Sequence, residues 1–240
     1  MAFKDGDFIE VEYSAWTASD NKLIATTDEN KAKAENMYDK RTRYGPVLVV
    51  LGSNSVIKGL DRELRTAAVN ETKRVTFKPG EAFGERAADL VRVMPMSEFR
   101  KHDIDPYPGM EVNIDNAVAI VKSINSGRVT IDLNHRYAGQ DITYDIKVIR
   151  QLTSEGDKVK ALGITYNVEP SEVRLKERSV EIVFNDKVKK NADYFVGKAS
   201  MIAAIFTYMD DKEKVDVLEE YLKPNEQKPG AEEEQQEQPD

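Results

Sequence analysis

The stretch GPVLVVLGSNSVIKGLDREL, from Gly45 to Leu64, carries the strongest indication of how this chain folds. Its unbroken apolar run, residues 47–51, is typical of a strand that is buried on both faces. The turn formers GSNS follow, and a helical spacing of apolar residues begins after them. A buried strand, a tight loop and a short helix would form the floor of an apolar pocket. The same spacing also suits an ordinary core, and the stretch alone does not separate these two interpretations.

The composition indicates a globular protein with a well-solvated surface, because 40% of the residues are hydrophobic and 32% are charged. The 240 residues include no cysteine, which excludes disulfides, thiolate nucleophiles and zinc–thiolate sites. The only histidines are His102 and His135. We therefore expect no metal site and no cofactor. The formal net charge of −8 argues against nucleic acid as a partner, since phosphate contacts need clustered lysine and arginine.

The sequence predicts neither a signal peptide nor a membrane-spanning helix. Charged residues interrupt every apolar group near the N-terminus, unlike the apolar core of a signal peptide. The most apolar later stretch, Phe195 to Met209, contains Lys198 and is too short to span a bilayer. We expect a cytoplasmic protein that does not bind membranes.

The hydropathy pattern divides the chain into successive units. Residues 8–13 alternate between apolar and charged side chains, which predicts a half-buried strand. From Leu90 the pattern changes to short strands with a turn at Asn125-Ser126-Gly127, which is typical of a small β-rich unit.

A separate unit is expected after about Ser154. Asn191 is a good N-cap for a helix that runs through Tyr208. A second helix is predicted to carry three apolar residues, Val215, Leu218 and Leu222. Residues 224–240 are acidic and lack large apolar side chains, so we predict a disordered tail there.

Four motifs resemble the FKBP-type peptidyl-prolyl cis-trans isomerases, most closely their SlyD-like form, which archaea have as a long isomerase with an extra C-terminal domain. The motifs are Tyr13 at the end of the first strand, Leu51-Gly52 followed by VIKGLD at 56–61, PGEAFG at 79–84 and NHRYAG at 134–139. The third stands in the place of the family's P-x-x-A-[YF]-G. The fourth resembles the return from the inserted flap domain of SlyD-like proteins. Together they span residues 1 to about 152 in the family's order.

The resemblance implies an α+β fold in which an antiparallel half-barrel wraps on a short helix. The implied parts are a discontinuous isomerase domain (1–88 plus 137–152), a β-rich insert-in-flap chaperone domain (89–136), a C-terminal α+β domain (154–223) and the acidic tail (224–240).

The resemblance also implies an apolar pocket for the proline of a substrate. The implied lining residues are Tyr13, Ile24, Val47, Val56, Ile57, Leu60, Phe83 and Tyr144. Leu60 would be the floor, in a place that tryptophan often holds, and the backbone N–H of Ile57 would bind a substrate carbonyl. Without the resemblance, each of these residues would be read as ordinary core.

Two positions depart from the family pattern. The family usually reads F-D-[ST]-[ST], whereas this chain has Ile24-Ala25-Thr26-Thr27 and so lacks the carboxylate beside the twisting amide. Phe83 also lacks the hydroxyl that tyrosine provides in many members. We expect a peptidyl-prolyl isomerase and folding chaperone whose isomerase activity is weak. The alternative is a chaperone whose isomerase site has decayed.

The implied substrates are unfolded or nascent proline-containing polypeptides. In SlyD-like proteins the inserted domain binds unfolded chains, and the candidates for client binding here are Val91, Val93, Met94, Met96 and Phe99. These residues could equally seat the insert on its host domain.

The C-terminal unit has more apolar residues on its helix than one buried face needs. They are Phe195, Ile202, Ile205 and Phe206. This surplus predicts a homodimer formed through the C-terminal domain.

Overall fold

The computed structural model describes residues 3–114 and 117–221. The chain forms two compact units, Met1–Ser154 and Glu155–Asp240. No helix within the two described ranges is long and apolar enough to cross a membrane. Those same ranges contain no group of three or more histidine, cysteine or acidic residues that could hold a metal ion. The predicted acidic tail, 224–240, lies outside the described residues.

The first unit alternates strands with short helices. In chain order its elements are β1 (Phe8–Thr17), β2 (Leu23–Thr26), α1 (Glu29–Ala34), β3 (Val47–Val50), α2 (Lys58–Thr66), β4 (Thr72–Phe77), β5 (Val91–Pro95), α3 (Met96–Arg100), β6 (Glu111–Ile114), β7 (Ala117–Asn125), β8 (Arg128–Asp132) and β9 (Ile142–Leu152).

The larger sheet of this unit has five antiparallel strands, in the order β2-β1-β9-β4, with β3 also paired to β1. Ile9, Val11 and Ala15 of β1 alternate toward the core and are fully buried. Leu60 and Leu64, one helical turn apart on α2, are buried in the same core. The expected antiparallel sheet on a short helix is therefore confirmed.

Gly59 allows α2 to lie close to the sheet. A Cβ atom built on this glycine would overlap the ring of Phe77, which is fully buried at the end of β4. Phe77 in turn contacts the ring of Tyr144 on β9, with 5.8 Å between ring centroids. Gly59 and the rings of Phe77 and Tyr144 therefore set the distance between α2 and the sheet.

The smaller sheet of the first unit has the order β5-β8-β7-β6, with every pair antiparallel. Strand β7 ends at Asn125 and β8 begins at Arg128, so the predicted turn is confirmed. Ser126 and Gly127 both adopt positive φ there, as a two-residue hairpin loop requires. The core of this sheet consists of Phe99, Val112, Ala119, Val121, Val129 and Ile131.

The second unit contains α4 (Glu155–Thr165), β10 (Glu172–Leu175), β11 (Ser179–Phe184), α5 (Asp186–Lys189), α6 (Tyr194–Tyr208) and β12 (Lys214–Glu219). Its sheet has the order β10-β11-β12, in which β10 is antiparallel to β11 and β12 is parallel to it. Mixed helices and sheets in both units agree with the expected α+β class.

Two sequence predictions for the second unit are wrong in detail. The predicted helix with Val215 and Leu218 is strand β12, because these residues pair with Val180 and Val183 of β11 once α6 returns the chain beside it. The N-cap position of α6 is Asp193 rather than Asn191. Asn191 instead accepts the backbone N–H of Asp193 at 3.1 Å, one turn ahead of the helix. Leu222 lies outside the described residues.

Candidate functional site

The core face of the five-stranded sheet brings together most of the residues expected to line the pocket. Leu60 and Tyr144 are buried members of one cluster. Five half-buried residues pack against this cluster: Tyr13, Ile24, Val56, Ile57 and Phe83. Val47 is not a member of this cluster as the described residues form it. It lies half-buried at the first position of β3, opposite Val11. Seven of the eight expected residues thus share one apolar region.

The start of α2 presents a backbone donor to this region. Ile57 occupies the N-cap position with an extended conformation and no side-chain cap, and its carbonyl accepts the N–H of Asp61 at 3.0 Å. The N–H of Ile57 makes no hydrogen bond to any residue within the described part of the chain. A free N–H at a helix N-terminus is a ready donor to a carbonyl oxygen.

The loop ahead of α2 is held by its own polar side chains. The N–H of Gly52 donates to Asp61 Oδ1 at 2.8 Å, and the hydroxyl of Ser53 donates to the carbonyl of Val50 at 2.7 Å. Gly52 adopts a φ of +80°, which explains glycine at this position. These bonds tie the loop both to β3 and to α2.

Phe83 packs against the apolar cluster from a turn that begins at Pro79. The N–H of Gly84 donates to the carbonyl of Pro79 at 2.7 Å, and Glu81 of the turn forms an ion pair with Arg62 of α2. The ring of Phe83 stacks almost parallel on the ring of His135, with 4.4 Å between centroids and 14° between planes. A side chain that follows β8 therefore contacts Phe83.

Tyr13 and Tyr144 give the apolar region two phenol groups. Their ring centroids lie 5.9 Å apart. Burial raises the pKa of Tyr13, and burial together with the neighbouring Tyr13 raises the pKa of Tyr144 to about 12. Within the described ranges, neither hydroxyl has a hydrogen-bond partner. Every fully buried side-chain oxygen in those ranges does have a hydrogen-bond partner. Both hydroxyls therefore retain some access to solvent and remain protonated at neutral pH.

Strand β2 carries no carboxylate at the position where the family strand usually has one. Ala25 lies half-buried on β2 opposite Ala15, and it packs on the apolar cluster. Asp28, three residues later, caps α1: its Oδ1 accepts the N–H groups of Asn30 and Lys31 at 2.9 and 3.1 Å. The Asp28 carboxylate is thus committed to the helix, on the exposed side of the chain.

A polar cleft of about 470 Å³ opens beside the same sheet, and Tyr13 of the apolar region and Asp28 are among its lining residues. Glu12 and Ser14 of β1, and Asp145 and Lys147 of β9, line it. These residues alternate with the core residues of the two strands and so lie on the other face of the sheet.

The residues expected to bind clients divide between two surfaces of the smaller sheet. Val91 and Val93 are exposed along the edge strand β5, and 59% of the surface of Val93 is accessible. Met94 and Met96 are half-buried against the core of the sheet, and Phe99 belongs to that core with 2% of its surface accessible. A cavity of about 520 Å³ beside this core is lined by Met94, Glu98, Phe99, His102, Ile104, Asn113 and Ile114.

Sequence reasoning missed the contact between Phe83 and His135. The signal was present, because each residue lies in one of the motifs that flank the inserted segment. An insertion that leaves a domain and returns to it brings its two connections together, so residues of these motifs become neighbours. Tyr137 joins them, with its ring centroid 5.6 Å from that of Phe83.

Comparison with known proteins identifies the first unit. A model of the FKBP-type peptidyl-prolyl cis-trans isomerases matches residues 1–99, and a model of the FKBP26 IF domain matches residues 92–137. A short-type peptidyl-prolyl cis-trans isomerase of Methanocaldococcus jannaschii is 30% identical over 145 residues, which cover 60% of this chain and 91% of that protein.

Two bacterial relatives support the same assignment. The isomerase SlyD of Vibrio cholerae is 29% identical over 125 residues, covering 50% of this chain and 62% of that protein. The FKBP-type 16 kDa isomerase of Escherichia coli K12 is 28% identical over 109 residues, covering 43% of this chain and 72% of that protein. Residues 1–99 include β1 to β4, α2 and the turn that carries Phe83, and the alignment covers 91% of a relative that is 30% identical, so this chain belongs to the FKBP-type peptidyl-prolyl cis-trans isomerase family.

Proposed function

We propose that the apolar region between α2 and β9 binds the proline of an unfolded or nascent polypeptide and isomerises the preceding peptide bond. The observation that carries this proposal is the grouping of Leu60, Tyr144 and Ile57 in one apolar cluster beside a free backbone donor. Leu60 would be the floor and Phe83 a wall. The Ile57 N–H would hold a substrate carbonyl and fix the orientation of the chain.

The chemistry needs neither a nucleophile nor a metal. Amide resonance opposes rotation about an X–Pro bond with a barrier of roughly 18–20 kcal/mol. Rotation out of the plane reduces the double-bond character and the dipole of the amide, so an apolar pocket disfavours the planar ground state more than the twisted transition state. The chain's role is to exclude water and to hold the flanking carbonyls in place.

Ala25 makes weak isomerase activity part of the proposal. A carboxylate at this position would face the twisting amide, whereas a methyl group cannot interact with its changing dipole. Losing one such polar contact typically costs about 1–3 kcal/mol, or about ten- to hundredfold in rate. The nearest acid along the chain, Asp28, cannot substitute while it caps α1.

The first test is the cis-to-trans turnover of a proline tetrapeptide by the wild type, Ala25→Asp and Ala25→Asn. We expect slow turnover by the wild type and about tenfold faster turnover by Ala25→Asp. The Asn variant, similar in size but uncharged, is the control and should stay near the wild type. A wild-type rate equal to that of an Asp-containing relative would contradict the proposal. If no variant turns over while unfolded clients still bind, the chain is a chaperone with a decayed isomerase site.

The inserted segment, 89–136, is proposed as the client-binding domain of a chaperone, with the isomerase domain formed by 1–88 and 137–152. Its edge strand β5 supports this role, because an edge strand has unpaired backbone groups that an extended chain can bind. Val93 adds an exposed apolar side chain on that edge, and Met94 lines the neighbouring cavity. The buried Phe99 would support this surface from the core beneath it.

Residues 154–223 are proposed as a C-terminal domain that forms a homodimer. Three apolar side chains on α6 are exposed: Phe195 at 73%, Val196 at 70% and Phe206 at 44%. Ile205 is fully buried and belongs to the core of its own unit, so it does not contribute to this surface. A sedimentation experiment at micromolar concentration should show a dimer, and Phe195→Ser with Phe206→Ser should give a monomer. A wild-type monomer would remove the proposal.

The cellular setting is proposed from the net charge and the lack of cysteine. A protein with a net charge of −8 and no cysteine suits the cytoplasm, and its acidity disfavours nucleic acid as a partner.

A further inference from the structure

The two connections between the inserted segment and the larger sheet are bound to each other by a buried polar cluster. Asn134, on the returning connection, accepts the N–H of Ala87 at 2.8 Å and donates its side-chain N–H to the Ala87 carbonyl at 2.9 Å. Ala87 lies on the outgoing connection. One amide side chain thus pairs both backbone groups of a residue that is 47 positions away in sequence.

Asp132 holds Asn134 in this position. Its Oδ1 accepts the backbone N–H of Asn134 at 3.0 Å and the side-chain N–H at 2.8 Å, while Oδ2 pairs with Arg86 and with Lys122, the latter at 3.6 Å. Only 2% of the surface of Asp132 and 6% of that of Asn134 are accessible. Burial strengthens these interactions and makes any alternative arrangement of the two groups costly.

A second link follows a few residues later. The N–H of Gly139 donates to the carbonyl of Gly84 at 2.8 Å. Gly139 has a φ of +77°, and a Cβ atom there would lie 3.3 Å from Cβ of Arg86. The two connections therefore run side by side, from the pair Ala87–Asn134 to the pair Gly84–Gly139.

Between these two links lies His135, directly after Asn134. Its imidazole stacks on Phe83 at 4.4 Å between centroids, and Tyr137 contacts both rings at 5.6 and 5.7 Å. His135 remains exposed to solvent, so its imidazole is not part of the folding core, although Phe83 and Tyr137 pack against that core. Partial desolvation of the ring, followed by the charge of Arg136, lowers the pKa of His135, which favours a neutral ring against Phe83 at pH 7.

We propose that His135 is a positioning residue for the isomerase pocket: it holds the ring of Phe83 at the pocket wall, and the buried Asp132–Asn134 pair holds His135 in register. This proposal rests on the proposed function, since it takes Phe83 to line the pocket. According to this proposal, the returning connection of the insert contributes to catalysis. That contribution does not require a client to touch the insert.

A double-mutant cycle on a proline tetrapeptide tests this proposal with four proteins: the wild type, His135→Ala, Phe83→Ala and the double variant. We expect His135→Ala to raise KM by about three- to tenfold with a smaller change in kcat, because an aromatic pair contributes by orientation. The same substitution should have no further effect once Phe83 is alanine. His135→Phe, which keeps a flat ring, should restore the wild-type KM, and thermal unfolding should show that the folded state is kept.

The outcomes separate the positioning role from the pocket itself. If Phe83→Ala turns over like the wild type, Phe83 is not a pocket wall, and both the assignment of this wall and the positioning role fail. If Phe83→Ala is impaired but His135→Ala is not, only the positioning role fails. Equal losses from His135→Ala in both backgrounds, or no rescue by His135→Phe, would also overturn it, because His135 would then act by another route.

Discussion

The first unit contains two apolar surfaces that differ in how far they are exposed. In the proposed pocket, Leu60 is 3% accessible and Tyr144 is 6% accessible. On the edge strand of the insert, Val93 is 59% accessible. Pocket residues are therefore also core residues, whereas the outward-facing residues of the insert contribute little to their own core.

The difference suits two kinds of ligand. A close-packed region with fixed rings can enclose one proline and hold its peptide bond in a defined orientation. An exposed strand edge with adaptable methionines beneath it can accept extended chains of varied sequence, because backbone hydrogen bonds do not depend on side chains. In the proposed pocket, the same residues therefore determine both the stability of the fold and the specificity for the ligand. On the proposed client surface of the insert, different residues determine these two properties.

The largest effect that would test this contrast is on stability. Phe77→Ala removes a fully buried ring that contacts Gly59 and Tyr144, so we expect a loss of about 3–5 kcal/mol in the free energy of unfolding. Val93→Ala on the insert should change it by less than about 0.5 kcal/mol. Urea denaturation of both variants measures the difference. Similar losses from the two substitutions would break the contrast between pocket and insert.

A smaller effect should separate client binding from turnover. Val91→Ser with Val93→Ser should weaken the binding of an unfolded, proline-free client by about tenfold, since it removes two exposed apolar contacts. Tetrapeptide turnover should stay at the wild-type rate, because both positions lie outside the pocket cluster. Val118→Ser is the matched control, as Val118 is 61% exposed on strand β7 of the same sheet. Equal weakening by the control would mean that client binding is not centred on β5.

The sequence predicted the pocket elements better than their neighbours. Alternation predicted β1, and the helical spacing of apolar residues after the GSNS turn predicted α2, because local burial patterns decide both. Strand β12 was misread as a helix, since its pairing with β11 depends on a crossover through α6 that no short window of sequence shows. The stack of Phe83 on His135 likewise joins residues that only the completed insertion brings together.

The smallest expected effect concerns the phenol of Tyr144, and it tests whether the proposed pocket is part of the buried core. Burial raises its pKa from 10.0 to about 12, so above pH 10 the unfolded chain loses this proton before the folded chain does. Stability therefore falls as the pH rises above 10, by at most about 1.4 kcal/mol per pH unit, and is unaffected below it. Between pH 9 and pH 11 the free energy of unfolding of the wild type should fall by about 1 kcal/mol more than that of Tyr144→Phe.

Urea denaturation at both pH values measures this difference. Tyr107→Phe on the insert is the matched control, because it removes a phenol outside the proposed pocket. Identical losses in the wild type and Tyr144→Phe would mean that water reaches the phenol freely, and the pocket would then be open rather than part of the core.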